Sequence, residues 1–123
     1  MKNIIIWGPV RSGRSFLARR IVKELSHKVG ATLVVDEIYV PQGFRFKPDE
    51  NNLMICLGYT EISPEDEWES RKDGVTLEYV QKRCQESHHI KAESEKLGLK
   101  YFDVSFDRER KLEEILEYIK FSI

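Results

Sequence analysis

Short apolar runs alternate with longer amphipathic segments along this chain, and the alternation predicts its secondary structure. The short runs are continuous and rich in β-branched or aromatic residues, as strands covered on both faces are; they are 3–7, 31–35, 53–57 and 99–104. The longer segments repeat apolar residues at the three- and four-residue spacing of helices; they are about 13–28, 64–72, 77–97 and 108–119. We therefore predict an α/β fold in one domain, residues 1–123, with a small parallel sheet of about four strands and helices on both faces.

Capping residues define where these helices begin and end. Ser63 followed by Pro64 is typical of a helix start, and Thr76 and Asp107 belong to residue types that cap helix N-termini with their side chains. Gly30 follows the first helical segment and is the residue type that favours a helix C-terminus. We expect the first helix to end at about residue 28 for this reason.

Composition and charge exclude several classes of protein. Lys and Arg number 20 and Asp and Glu 21, so the net charge of −1 provides no overall field that would attract nucleic acid or an anionic membrane. The two cysteines, Cys56 and Cys84, do not support a disulfide framework or a zinc site. No apolar segment approaches the length needed to span a bilayer, and no basic leader precedes the first strand. We expect a cytoplasmic protein that binds any phosphate ligand locally.

Residues 8–15 are the most informative stretch. Their sequence, Gly-Pro-Val-Arg-Ser-Gly-Arg-Ser, lies between the first strand and the first helix, which is the context that a phosphate-binding P-loop requires. Glycines let successive backbone N–H groups point inward, and the helix adds its positive N-terminal dipole. The usual pattern G-x-x-x-x-G-K-[ST] has Lys where this chain has Arg14, which keeps the charge but is longer and planar. A glycine-rich turn without a ligand is the alternative, and the glycine spacing and Ser15 favour the phosphate site.

Each residue type in and near the loop suits a particular role in phosphoryl transfer from ATP. The predicted cofactor-binding residues are Gly8, Val10, Arg11, Ser12, Gly13, Arg14 and Ser15. Amides of residues 10–15 would surround the β- and γ-phosphates, with Arg14 as their charge partner and Ser15 as a Mg²⁺ ligand. Asp36 follows the second strand and would hold that Mg²⁺ through water or act as a base. The alternative for Asp36 is a turn cap, a position that Asp favours.

The carboxyl ends of parallel strands share one edge of a sheet, and ligands bind there. We therefore expect the loop, Asp36, Tyr59 and Ser105 to meet at this edge. Tyr59 and Trp68 either contact a base or an acceptor or, in the interpretation we favour, pack beneath a lid.

With these residues in place, the chain resembles the small P-loop kinases, the group that contains adenylate, shikimate and gluconate kinases and the topology-modulation-like kinases of bacteria. The resemblance covers most of the chain, and its specific motif is the P-loop. It implies a nucleotide-binding phosphotransferase that uses ATP and Mg²⁺ and acts on a small metabolite or nucleotide. Arg71 stands in the place of a lid arginine, where it would stabilise charge in the transition state. A solvated helix face beside acidic neighbours is the alternative for Arg71.

The chain departs from this group in two places. Family members carry an additional helix–strand–helix segment for the acceptor pocket, whereas only residues 37–52 fill that space here, and their Pro and Gly residues predict an irregular or partly extended connection. Either Asp36 ends the Walker-B-like strand and the family's second strand is lost, or it ends the second strand and the Walker-B strand is lost. We favour the first because Leu-Val-Val-Asp-Glu has an apolar-then-acid form and the first strand needs a neighbour. The second departure is Arg14.

Three hypotheses follow. The first is an ATP-dependent kinase whose acceptor the sequence does not identify, and Ser15 and Asp36 favour it. The second is a nucleotide-binding module that transfers no phosphate and changes the state of a partner, either another protein or a second copy of the chain. The shortened acceptor region favours this second hypothesis. The third is an α/β interaction protein with an empty P-loop.

Overall fold

The structure is a computed structural model that describes residues 2–9, 11–35 and 51–123. Within these ranges the elements are β1 (Lys2–Trp7), α1 (Arg14–Leu25), β2 (Val29–Val35), β3 (Asn52–Gly58), α2 (Pro64–Lys72), α3 (Leu77–Leu97), β4 (Lys100–Asp103) and α4 (Arg108–Ser122). The four strands form one parallel sheet in the order β2-β1-β3-β4. The predicted α/β class is confirmed, and the architecture is compatible with a P-loop NTPase-like fold.

The strand register brings the carboxyl ends of the strands to a common edge. Trp7, the last residue of β1, is in register with Val35 on one side and with Cys56 on the other. Gly58 at the end of β3 is in register with Asp103 at the end of β4. Residues 8–15 therefore leave the sheet from an inner strand, at the edge where the loops after β3 and β4 also begin.

Helices cover both faces of this sheet, as predicted. On one face, α1 and α4 pack on alternate residues of the inner strands. The strand and helix residues of that cluster include Ile4, Ile6, Ile55, Leu57, Leu17, Ile21, Leu25, Leu112, Ile115, Leu116 and Ile119. On the opposite face, Trp7 and Cys56 pack with Ile90 of α3.

Most predicted boundaries of α2 and α3 are confirmed. The Ser63 hydroxyl accepts a hydrogen bond from the Asp66 N–H at 3.1 Å, which caps α2. The Thr76 hydroxyl accepts from the Tyr79 N–H at 3.2 Å and caps α3 in the same way. Both contacts satisfy N–H groups that a helix cannot bond internally.

Two predictions at the other helices were wrong: the end of α1, and the side-chain cap of α4, whose start was placed correctly. The first helix ends at Leu25, because the Lys28 N–H donates to the Leu25 carbonyl at 2.8 Å and Gly30 belongs to β2 rather than to a helix end. Asp107 stands at the N-cap position of α4, but its φ is 52° and its side chain makes no cap hydrogen bond; it pairs with Arg110 at 3.2 Å. A side-chain cap needs an extended backbone, which Asp107 lacks.

The predicted irregular connection over residues 38–52 lies outside the described residues except at its end, where Asn52 begins β3. Within the described ranges, no helix is long and apolar enough to cross a membrane.

Candidate functional site

The loop after β1 begins at a glycine that no other residue could replace without a shift. A Cβ at Gly8 would lie 2.7 Å from the carbonyl oxygen of Leu57 and 2.9 Å from the Ser12 hydroxyl. Ser12 is fully buried, and its hydroxyl and N–H both donate to the Pro9 carbonyl, at 2.7 and 3.3 Å. These contacts fold the loop back on itself against β3. Val10, predicted to contribute an amide, lies outside the described residues.

Two of the loop residues that the structure describes adopt the left-handed conformation. Gly13 has a φ of 95°, and a Cβ there would also meet Leu112 at 2.9 Å. Arg11 has a φ of 70°, which costs a non-glycine residue on the order of 1–3 kcal/mol. When residues ahead of a helix adopt the left-handed conformation, successive N–H groups can point into a common concavity that binds anions.

The first turn of α1 offers its N–H groups without a side-chain cap. Gly13 is the N-cap residue, no side chain in the described ranges caps the helix, and the first turn contains no acidic residue. The first helical hydrogen bond runs from the Leu17 N–H to the Gly13 carbonyl at 3.0 Å. Ser15 is exposed and Arg14 half-buried. A helix N-terminus of this kind favours an anionic ligand.

An open cleft of about 620 Å³ lies beside the loop, between the starts of α1 and α4. The residues that line it are Arg11, Gly13, Phe16, Asp107, Arg108, Glu109 and Leu112. Phe16 presents a partly exposed ring, over which the Arg20 guanidinium lies at 5.8 Å. The volume is within the range of small-molecule sites, and the lining combines apolar surface with charges of both signs.

Two arginines of this cleft contact the α2 segment, a name we use for α2 together with Asp73, the residue that follows it. An Arg11 guanidinium nitrogen lies 3.2 Å from a carboxylate oxygen of Asp73, which follows α2. An Arg108 nitrogen lies 2.8 Å from a carboxylate oxygen of Asp66, and the Arg108 guanidinium lies 5.6 Å from the centre of the Tyr59 ring. The α2 segment is therefore a direct neighbour of both the loop and the cleft.

Arg71 lies on this same segment, two residues before Asp73. Its guanidinium pairs with Glu67 at 2.6 Å, and its side chain is 77% exposed. Trp68 is 59% exposed with the Lys72 ammonium 5.2 Å from its ring centre, so the prediction that it packs beneath a lid is wrong. Tyr59, at 1% exposure, does pack in the core.

Sequence reasoning missed Asp103, a carboxylate at the end of β4 that accepts several hydrogen bonds. One of its oxygens accepts from the Thr60 N–H (3.2 Å), the Thr60 hydroxyl (2.8 Å) and the Tyr101 hydroxyl (2.9 Å). The other accepts from the Ser105 N–H (3.0 Å) and the Ser105 hydroxyl. Burial alone would raise the pKa of Asp103, but the bonds from Ser105, Thr60 and Tyr101 outweigh it and lower the pKa below its ordinary value.

The Asp103 contacts connect the loops that follow β3 and β4. The Ser105 hydroxyl also accepts from the Glu61 N–H at 3.0 Å, so Ser105 lies at the edge as predicted but serves the backbone. The rule that selected Asp36, an acidic residue at the end of a buried strand, would also have selected Asp103.

The structure brings together the described loop residues, Tyr59 and Ser105 at one edge. Asp36 lies outside the described residues, so its predicted contact with Mg²⁺ and Ser15 stays a prediction. The strand before it, β2, is one of the two neighbours of β1, and its assignment as the Walker-B-like strand also stays a prediction. Among residues 2–9, 11–35 and 51–123, no group of three or more acidic, His or Cys side chains is placed to hold a metal ion.

Comparison with family models, with curated proteins and with solved structures found no match to this chain. The resemblance to small P-loop kinases therefore rests on the loop residues and on the parallel α/β fold.

Proposed function

We propose that this chain binds ATP with Mg²⁺ at the loop of residues 8–15 and transfers phosphate to a small metabolite or nucleotide. The observation that supports it is the loop in three dimensions. Gly8 approaches β3, Arg11 and Gly13 are left-handed, and α1 begins without a side-chain cap beside an open cleft. Each feature favours an anion at the start of α1, and the cleft has room for the nucleoside.

In this proposal the phosphates lie against the amides of the loop, with Arg14 as their charge partner and Ser15 as the Mg²⁺ ligand. Asp36 acts on the metal through water, and Arg71 stabilises the transferred group. The nucleoside occupies the cleft, where the Phe16 ring supplies apolar contact. The chemistry that Mg²⁺ supplies when bound is neutralisation of charge on the phosphate oxygens.

We place this reaction in the cytoplasm. Both cysteines of the sequence belong to the described part of the chain and are buried free thiols. Burial raises the pKa of Cys56 to about 11 and that of Cys84 to about 11, so both stay protonated at neutral pH.

A second candidate is a nucleotide-binding module that transfers no phosphate and acts on a protein partner or a second copy of itself. Two observations favour it. Arg14 replaces the lysine that normally follows the phosphate through transfer. Arg71 is engaged by Glu67 on an exposed helix face.

Calorimetric titration with Mg·ATP and ADP tests the proposal, with Gly13→Ala as the informative variant. We expect at least about a 30-fold loss of affinity, because the added Cβ strains the left-handed residue and meets Leu112 beside the first amides of α1. Gly98→Ala is the matched control. Gly98 is also left-handed, with a φ of 71°, but nothing lies within 4 Å of its Cβ position and it ends α3.

The control should lose stability through the same backbone strain, without the contact that Gly13→Ala makes with Leu112, and should keep its affinity for ADP. A wild-type chain that binds neither nucleotide would refute the proposal and leave an interaction protein with an empty P-loop. Equal losses of affinity in the two variants would place the nucleotide elsewhere.

A further inference from the structure

The α2 segment is attached to the cleft by two ion pairs of different character. Arg108 and Asp66 connect its beginning, and Arg11 and Asp73 connect its end. Both arginines line the cleft, and both carboxylates belong to the α2 segment. The two pairs are therefore the points at which a ligand in the cleft would act on α2.

The pair at the beginning of α2 has the properties of a fixed attachment. The side chains of Arg108 and Asp66 are 29% and 11% exposed, and the guanidinium lies over the buried Tyr59 ring. In the described part of the chain, the Arg108 Nε, the second carboxylate oxygen of Asp66 and the Ser70 hydroxyl are buried without a hydrogen-bond partner. Separating this pair would leave further charge buried and uncompensated, which is strongly unfavourable.

The pair at the end of α2 is more exposed. The side chains of Arg11 and Asp73 are 25% and 49% exposed, and one contact of 3.2 Å joins them. Exposed pairs of this kind contribute little to stability. Arg11 is therefore held by a contact that a competing anion can replace.

Arg11 is itself part of the loop. Its left-handed backbone lies two residues before Gly13, the N-cap of α1. Phosphate oxygens held by this loop would come near the Arg11 side chain, and a guanidinium binds phosphate with paired, charge-assisted hydrogen bonds. Asp73 and a phosphate ligand would then require the same donors.

We propose that Asp73 competes with the phosphates of the bound nucleotide for Arg11, and that nucleotide binding releases the end of α2 while the Arg108–Asp66 pair keeps its beginning in place. This inference rests on the proposed nucleotide site. It makes Asp73 a residue that sets ligand affinity without contacting the ligand, and it gives α2 a response to occupancy of the loop.

The test is ADP affinity, measured by calorimetry, in Asp73→Asn and in a matched control. Asp73→Asn frees Arg11 at nearly constant shape, and we expect ADP to bind about two- to fivefold more tightly, the effect of removing one exposed pair. Glu69→Gln removes an exposed α2 charge that has no ion pair in the described ranges, and it should leave the affinity nearly unchanged. Circular dichroism melts confirm that each variant is folded.

A double-mutant cycle with Arg11→Gln separates competition from general charge. We expect Arg11→Gln to weaken ADP binding and Asp73→Asn to have no further effect in that background. As a second readout, acrylamide quenching reports on Trp68, since Trp7 is 1% exposed. Asp73→Asn without nucleotide should shift the quenching of Trp68 toward the value of the wild-type chain saturated with ADP.

The outcomes are distinguishable. If the wild-type chain binds ADP but Asp73→Asn behaves like Glu69→Gln, the competition is wrong and the nucleotide site stands. A gain in affinity that persists in the Arg11→Gln background also overturns the competition. If neither the wild-type chain nor Asp73→Asn binds ADP, the nucleotide site and the competition both fail. Binding by Asp73→Asn alone supports both.

Discussion

Two regions at the same edge of the sheet differ in how many of their polar groups are hydrogen-bonded within the protein. Where β3 and β4 end, the Asp103 carboxylate accepts five hydrogen bonds from Thr60, Tyr101 and Ser105. Where β1 ends, α1 starts without a side-chain cap in the described ranges, and Arg11 is held by one partly exposed pair. The polar groups of the first region connect backbone segments, whereas the second region leaves the first turn of α1 without a side-chain cap from the described residues and holds Arg11 by a contact that is open to solvent.

The comparison suggests a criterion by which a structural carboxylate can be distinguished from a candidate binding site in a parallel sheet. Position at the carboxyl edge is shared by both regions and does not discriminate between them. The number of hydrogen bonds from the protein is the property in which the two regions differ, and a group that is fully hydrogen-bonded within the fold gains little from a ligand. Strain points the same way, since Arg11 keeps a left-handed backbone in the loop.

The largest effect that we expect is a loss of stability when Asp103, the carboxylate of the first region, is replaced. Asp103→Asn should lower the free energy of unfolding at pH 7 by about 2 kcal/mol, or about 8 °C in melting temperature, because it removes charge-assisted bonds to partly buried donors. ADP affinity should be unchanged below the melting transition. Urea unfolding and calorimetry measure the two quantities, with Glu95→Gln as a control at an exposed acidic position.

The pH dependence of this effect has a definite sign. The pKa of Asp103 is lowered in the folded chain from an ordinary value of 3.8, so its stabilisation is fully present well above that value. It declines as the pH falls through 3.8 and is lost once the pH falls below the lowered pKa. The wild-type chain should therefore converge with Asp103→Asn in strong acid. A difference that stays constant from pH 7 to pH 2 would show that the charge of Asp103 is irrelevant.

The sequence predicted the local features of this fold better than the long-range ones. The strands and the caps at Ser63 and Thr76 follow from patterns within a few residues, and they are confirmed. The end of α1 was misplaced because Gly30 favours a helix end locally but belongs to β2. The structure at Gly30 is therefore determined by the sheet and not by the local preference of glycine for helix ends.

The candidate site shows the same division. The loop was predicted from its glycine spacing, from Ser15 and from its position between a strand and a helix, but the contact of Arg11 with Asp73 joins residues 62 positions apart and has no local signal. Trp68 was expected to pack beneath a lid, yet it is 59% exposed with Lys72 over its ring. Only the packing of α2 determines which of its faces is covered.

The substitution Arg14→Lys tests the role of the loop in phosphate transfer. A lysine follows the γ-phosphate more closely than the longer, planar arginine, so we expect turnover of ATP to rise about tenfold while affinity changes by less than about threefold. Steady-state kinetics and calorimetry measure the two. Arg19→Lys, on an exposed position of α1, is the control and should change neither. If Arg14→Lys changes neither the turnover of ATP nor the affinity, Arg14 does not act on the phosphates.

The smallest expected effect concerns Asp36, which follows β2 as Asp103 ends β4. If Asp36 acts on Mg²⁺ through water, Asp36→Asn should weaken Mg·ATP binding about fivefold and leave metal-free ADP binding nearly unchanged, because the carboxylate acts only through the cation. Calorimetry with and without Mg²⁺ gives the ratio of affinities, and the melting temperature gives the folding control. A lower melting temperature with an unchanged ratio would place Asp36 with Asp103, as a carboxylate that serves the backbone. An unchanged melting temperature with a changed ratio would place it with the loop, and the edge would then contain one aspartate of each kind.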